Sequence, residues 1–271
     1  MSTSATILFQ NHHIHYYKYG EGAKTLLAFH GFGQTGPDFE PLTEALTQEY
    51  TMYCFDLFYH GKSYWNDQDT PMTKEFWKEF IDKFTQTHHI DNFSLCGFSL
   101  GGKFALATLE THPERIDKVM LLAPDGIKTN TWYSLATYPV FLKNYFKSMI
   151  VKPHRFFNLI NIAKKAGLVE KGILKFASSQ MNTRKKRRRV YYAWVVFKEL
   201  SFNMKKMGSL INHYNISLEM FLGTHDKIIT KKGMYKLLKH VKVYELHVAE
   251  SGHNKLIEKV AKHLKSTKQE P

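Results

Sequence analysis

Five apolar runs in this chain are continuous rather than alternating: TLLAFHGFG, TMYCFDLF, NFSLCGFS, IDKVMLLAP and SLEMFLGTHD. A strand whose successive residues are all apolar has to be covered on both faces, the condition of a parallel sheet held between layers of helices. The covering helices are read from DFEPLTEALTQEY, from TKEFWKEFIDKFTQTHHI with Phe76, Phe80 and Phe84 at four-residue spacing, and from GGKFALATLETHP, which stops near Pro113. A further helix is expected around residues 231–240, then a strand in VKVYELHVAESGH, then a closing helix through Leu264. SATILFQ and HIHYYKYG read as a hairpin at the N-terminus. The fold class that follows is α/β, a mostly parallel sheet of about eight strands flanked by helices.

From Gly126 to Tyr214 the strand signal stops, and apolar residues recur at helical spacing, as in RRVYYAWVVFKEL with Val190, Trp194 and Phe197 on one face. The chain is therefore divided into a sheet-bearing core, 1–125 with 215–271, and a helical insertion, 126–214. Gly126 and residues 212–215 stand where hinges would lie. The charge obeys nearly the same division. The net charge is +14, and Lys143 to Lys206 alone holds 17 Lys and Arg against Glu170 and Glu199, leaving 21 basic and 22 acidic residues elsewhere.

With 271 residues, 43% of them hydrophobic, the chain can bury a core without staples. Cys54 and Cys96 both fall in apolar runs, where reduced core thiols are expected. No run is long and apolar enough to span a bilayer, and histidines and polar residues break the N-terminal stretch before a signal core could form. A cytoplasmic setting is the expectation.

The segment CGFSLGGK carries the chemistry. Gly97-Phe98-Ser99-Leu100-Gly101 joins a strand to a helix and matches G-x-S-x-G, a turn so sharp that it holds the serine Oγ exposed at the sheet end, at the positive end of a helix. A serine hydroxyl is a poor nucleophile without a base and an orienting carboxylate. His253 in ESGHNKLI and Asp226 in FLGTHDKII follow the last two strands, and the chain order Ser, Asp, His is the one this turn accompanies. Asp125, after the IDKVMLLAP strand, is the rival acid, with a turn or hinge role favoured for it. The HGFG turn, His30 to Gly33, offers the backbone amide of Phe32, and the amide of Leu100 follows the serine; together they would form an oxyanion hole. Gly31, Gly33, Gly97 and Gly101 are read as turn glycines, and His30 as a ring that packs or hydrogen bonds beneath the HGFG loop.

HGFG, DLFYHGKS, GFSLGG, GTHD and SGH, taken together, resemble the α/β-hydrolase fold superfamily with a helical cap, over essentially the whole chain. In that family Asp56 to Ser63 usually reads D-x-x-G-x-G-x-S; here Tyr59 and His60 precede Gly61, so only the second glycine is kept. The resemblance implies a serine enzyme rather than the aspartate-based dehalogenases and epoxide hydrolases of the same fold, and a cap that shapes the pocket. Acyl transfer to water remains, on esters, thioesters, lactones, amides or carbon–carbon bonds beside a carbonyl. A carboxylesterase or lipase-like enzyme acting on a small-molecule acyl substrate is the reading adopted. A carbon–carbon bond hydrolase on an acidic oxo-acid, and a protein that mainly binds anionic membranes or polyanions, are the alternatives.

No cofactor and no metal is expected, since no His, Asp and Glu cluster has ligand spacing beyond the three residues already named. Trp132, Tyr133, Tyr138, Phe141, Tyr145, Phe146, Phe156 and Phe157 could line an acyl channel or glue cap helices together. Arg184, Lys185, Lys186, Arg187, Arg188 and Arg189 form a basic run that could contact anions, as peripheral contact with an anionic membrane or an acidic substrate, or simply be a solvated helix face. Nucleic acid is not expected, because no stacking aromatics interleave the run.

Overall fold

The computed structural model describes residues 2–127, 140–165 and 177–267. Its strands are β1 (Thr3–Phe9), β2 (His12–Tyr19), β3 (Lys24–Phe29), β4 (Tyr50–Phe55), β5 (Phe93–Phe98), β6 (Ile116–Leu122), β7 (Ser217–Gly223) and β8 (Glu245–Ala249). Its α-helices are α1 (Glu40–Leu46), α2 (Lys74–Thr87), α3 (Gly101–Thr111), α4 (Val140–Ser148), α5 (His154–Lys165), α6 (Arg184–Val196), α7 (Met204–His213), α8 (Lys231–Leu238) and α9 (Leu256–Thr267). None of the described helices is long and apolar enough to cross a membrane.

The strands form one eight-stranded sheet in the order β1-β2-β4-β3-β5-β6-β7-β8. β1 and β2 pair antiparallel with Ile7 opposite Ile14, through a turn in which Gln10 and Asn11 both have positive φ, the requirement of a tight hairpin. β2 runs antiparallel to β4, and every other pairing is parallel. All six residues of β5 are buried, as its unbroken apolar run requires. β8, expected to fill most of VKVYELHVAESGH, covers only Glu245–Ala249: it is an edge strand, and its ladder ends where β7 does, with Ala249 opposite Gly223. DFEPLTEALTQEY likewise opens as a 3₁₀ turn over Gly36–Phe39 before α1 begins.

α2 illustrates how pattern becomes packing. Thr73 caps it by accepting the Phe76 amide at 3.0 Å, and the four-residue spacing then lays Phe80 and Phe84 on Phe55 of β4, with ring centroids 5.9 and 4.8 Å away. Trp77 reaches α3, where its Nε1 donates to Thr108 Oγ1 at 2.9 Å. Each such buried ring stabilises the fold by roughly 1.5–3 kcal/mol.

The chain separates into two compact units, one of Met1–Asn66, Thr73–Lys128 and Leu200–Pro271, the other of Asp67–Met72 with Thr129–Glu199. This corrects the expected 126–214 insertion at both ends. α7 belongs to the first unit: Gly208 lies so close to His240 that a Cβ there would stand 2.7 Å from its carbonyl oxygen, and Asn212 Nδ2 donates to the same oxygen at 2.9 Å. Helical periodicity shows that a segment is helical, not which body it packs on. Conversely, the short segment 67–72 joins the second unit. Asp69 Oδ2 accepts Lys147 Nζ at 3.2 Å and the Tyr191 hydroxyl at 3.1 Å, and the Met72 amide donates to the Val196 carbonyl at 2.8 Å. Burial pushes the Asp69 carboxyl up, but the hydrogen bonds from Lys147 and Tyr191 outweigh it and hold its pKa below the usual carboxylate range. Within this unit Phe146 of α4 sits 5.3 Å from the Tyr191 ring and 5.5 Å from the Trp194 ring of α6.

Ala28 of β3 pairs with Cys54 on one side and Cys96 on the other, and both thiols are free and wholly buried. Burial disfavours the thiolate, so Cys96 is pushed up to about 12 and Cys54 well above its ordinary value. Native protein is therefore expected to leave a disulfide thiol reagent unreacted at pH 9, where an exposed cysteine would be substantially ionised. Both thiols should react once urea unfolds the chain, measured as released chromophore per chain.

Candidate active site

Ser99 occupies the turn between the end of β5 and the start of α3 with φ of +50°, a left-handed conformation that costs a non-glycine residue about 1–3 kcal/mol. The turn is held from several directions. Ser99 donates its amide to Leu122 of β6 at 2.9 Å, and its carbonyl accepts the amides of Gly102 at 2.9 Å and Asp125 at 2.7 Å. Close approach explains the flanking glycines. A Cβ on Gly101 would lie 1.8 Å from the Phe29 carbonyl oxygen, and one on Gly97 would lie 2.8 Å from the Gly101 carbonyl oxygen.

His253 and Asp226 arrive on the loops after β8 and β7. Those loops are stitched together, the Thr224 amide donating to the Ala249 carbonyl at 2.9 Å and the His225 amide to the Ser251 carbonyl at 3.0 Å. His253 Nε2 stands 2.9 Å from Ser99 Oγ, and Nδ1 stands 2.6 Å from Asp226 Oδ2. An ionised carboxylate can only accept, so Nδ1 carries the proton and Nε2 accepts from the serine hydroxyl. The Asp226 side chain is fully buried, and its other oxygen accepts the amides of Ile228 at 2.8 Å and Ile229 at 2.9 Å. The Phe98 ring packs on the imidazole at 5.0 Å. Asp125, the rival acid, instead accepts the Gly126 amide at 2.7 Å and faces Lys103 Nζ at 3.8 Å.

The HGFG loop is fixed from beneath. His30 is buried, with Nδ1 donating to the Gly31 carbonyl at 2.7 Å and Nε2 accepting the Leu57 amide at 3.0 Å. Gly31 donates its amide to Gln34 Oε1 at 2.9 Å, and Gly33 has φ of +84°. Neither the Phe32 nor the Leu100 amide has a hydrogen-bond acceptor among the described residues, which leaves both able to donate to a ligand. Sequence reasoning missed Gln34 and Phe98. Gln34 was findable, because a side-chain amide three residues beyond Gly31 can close a turn onto it; Phe98 was hidden at the unspecified position of the serine motif.

The 56–63 turn keeps its form despite the lost glycine. Asp56 accepts the amides of Gly36 and Lys62, each at 2.8 Å, while Tyr59 takes φ of +66° without a glycine's freedom. Among the described residues no group of three His, Cys, Asp or Glu side chains converges as a metal would need. Trp132, Tyr133 and Tyr138 lie outside the described residues. The basic run is only partly presented to solvent. Arg187 is buried, its guanidinium donating to the Ile150 and Met181 carbonyls at 3.0 Å each, and this corrects its expected place among anion-contacting residues. Arg189 is half-buried, whereas Arg184, Lys185 and Arg188 are exposed.

A family model described as alpha/beta hydrolase fold matches residues 24–156. The chain is 31% identical over 117 residues to a probable 1-acylglycerol-3-phosphate O-acyltransferase of Oryza sativa subsp. japonica, covering 42% of this chain and 28% of that protein. It is 32% identical over 108 residues to a pimeloyl-[acyl-carrier protein] methyl ester esterase of Stenotrophomonas maltophilia, covering 40% of this chain and 39% of that one. These matches thus span well under half the length of either relative. Among solved structures, the enol-lactonase from Burkholderia xenovorans LB400 superposes with a TM-score of 0.69 at 16% identity, over 98% of each chain. The mostly parallel eight-stranded sheet, the family-model match and the superposition together give the chain the α/β-hydrolase fold.

Gly101→Ala is expected to destabilise the protein by about 3 kcal/mol or more, because the added methyl meets backbone on β3 rather than a side chain that can turn away. A urea midpoint close to wild type would contradict the close approach of α3 to β3.

Proposed function

We propose that this protein is a serine hydrolase that cleaves a carboxylic ester through an acyl-enzyme. The observation that carries the reading is the continuous line from Ser99 Oγ through His253 to buried Asp226, beside the two amides of Phe32 and Leu100. Ester cleavage is favoured among acyl transfers by the similarity to a methyl ester esterase.

In this mechanism Ser99 Oγ attacks the ester carbonyl as its proton passes to His253 Nε2, and the carbonyl oxygen becomes an oxyanion. Asp226, accepting from Nδ1 and held by two amides of its own, stabilises the imidazolium and prevents the ring from turning. The oxyanion takes hydrogen bonds from the amides of Phe32 and Leu100, the second at the positive end of α3. Collapse of the tetrahedral centre breaks the carbon–oxygen bond, and His253 returns its proton to the departing alkoxide. Water then attacks the acyl-serine with His253 as base, and the acid leaves as Ser99 regains its proton. No cofactor enters these steps.

The test is turnover of p-nitrophenyl esters from acetyl to long chain, with wild type beside Ser99→Ala. The variant is expected to lose on the order of 10³- to 10⁶-fold in kcat while melting as wild type does. An alanine variant that kept wild-type turnover would refute Ser99 as nucleophile. Complete inactivity of folded wild type on every ester would refute ester cleavage.

A further inference from the structure

α5 is amphipathic and contains Phe156, Phe157, Leu159, Ile160 and Ile162, yet none of its residues is buried. Helices of water-soluble folds normally turn such a face onto a core. Here Ile162 is 63% exposed, and the neighbouring elements of the same unit add Phe141 at 72% and Val151 at 65%. Large apolar side chains left in water in this number mark a surface with a partner.

Charge says which partner. The unit that holds the apolar residues carries 15 Lys and Arg against Asp67, Asp69, Glu170 and Glu199. The cations and the apolar side chains are joined in one unit. Arg187 of α6 binds the Ile150 carbonyl, placing exposed Val151 and Lys152 beside the turns that carry Arg184 and Arg188. Arg155 of α5 donates to Ser148 Oγ at the end of α4 at 2.5 Å and lies over the Tyr145 ring. An acidic protein or a nucleic acid would be met by the cations alone. A bilayer with anionic headgroups uses both features, taking up Leu159 and Ile162 at the acyl boundary while the cations lie among the headgroups.

We propose that α4, α5 and α6 of the second unit present a peripheral docking surface for an anionic lipid bilayer. Arg184, Lys185, Lys186 and Arg188 supply the electrostatic attraction, and Phe141, Leu159 and Ile162 insert. Arg187 is excluded because its guanidinium is spent on the carbonyls that hold the unit together.

The test is co-sedimentation of the whole chain with phosphatidylcholine vesicles made with and without phosphatidylserine, at low and physiological salt. Two variants accompany wild type, R184Q/K185Q/K186Q/R188Q and F141S/L159S/I162S, each checked by thermal melting. Wild type is expected to bind phosphatidylserine vesicles at least tenfold more tightly than neutral ones, the preference narrowing with salt. The charge variant should lose at least tenfold, since each cation near the surface contributes on the order of fivefold. The apolar variant should lose severalfold at physiological salt. The proposal is overturned by absence of binding, or by equal binding to both vesicles. It is also overturned if the apolar variant binds like wild type while wild type binds duplex DNA as tightly as vesicles, which would make the surface a plain polyanion site.

Discussion

The close approach of α3 to β3 is the constraint on which the rest of the structure depends. The Gly101 backbone lies against the Phe29 carbonyl, so the helix must start immediately after the strand and the residue between them must turn left-handed. Ser99 has no glycine's freedom, and its strain is sustained by hydrogen bonds to Leu122, Gly102 and Asp125 on three sides. That is how a small side chain comes to be held still at the helix start, with the α3 amides aimed toward it. A looser turn would relax the backbone and lose the position of Oγ.

Sheet order supplies the neighbours. After β3 the chain moves outward to β4 and then returns to the other side of β3 for β5, so the C-terminal ends of β3 and β5 lie side by side. The HGFG loop, held by His30 and Gln34, leaves one of these ends, and the serine turn leaves the other. Beyond them β6, β7 and β8 continue in parallel, and the stitched loops of β7 and β8 bring Asp226 and His253 to the same end. Residues 154 positions apart in sequence thereby come within hydrogen-bond reach.

The two units divide the chain's physical burdens. The first buries its apolar surface on both faces of a sheet and is close to electrically balanced. The second carries most of the excess positive charge and leaves much of its apolar surface in water. Arg187 shows that a cation in a basic run need not serve the surface: enclosed by its own unit, it satisfies two carbonyls that no helix bonds. The charge run and the aromatic residues were visible as separate features of the chain, but which of them face water depends on which side chains the packing consumes.

The sequence alone determined the strand–helix alternation, the parallel sheet and the order of Ser99, Asp226 and His253, because these rest on local rules: apolar runs need two covered faces, and a glycine-flanked serine between strand and helix needs a tight turn. It identified the turn glycines for the same reason. It could not assign α7 to the first unit or residues 67–72 to the second, since periodicity records that a face is apolar but not what meets it. Chain order did not separate Asp226 from Asp125, since both lie between Ser99 and His253, and Asp125 was set aside only for its place at the entrance to the insertion; nor could the sequence find Phe98 against the imidazole and Gln34 beneath the loop. Those contacts join residues far apart in the chain or at positions with no local requirement, and only the sheet's register and the closing of its loops decide them.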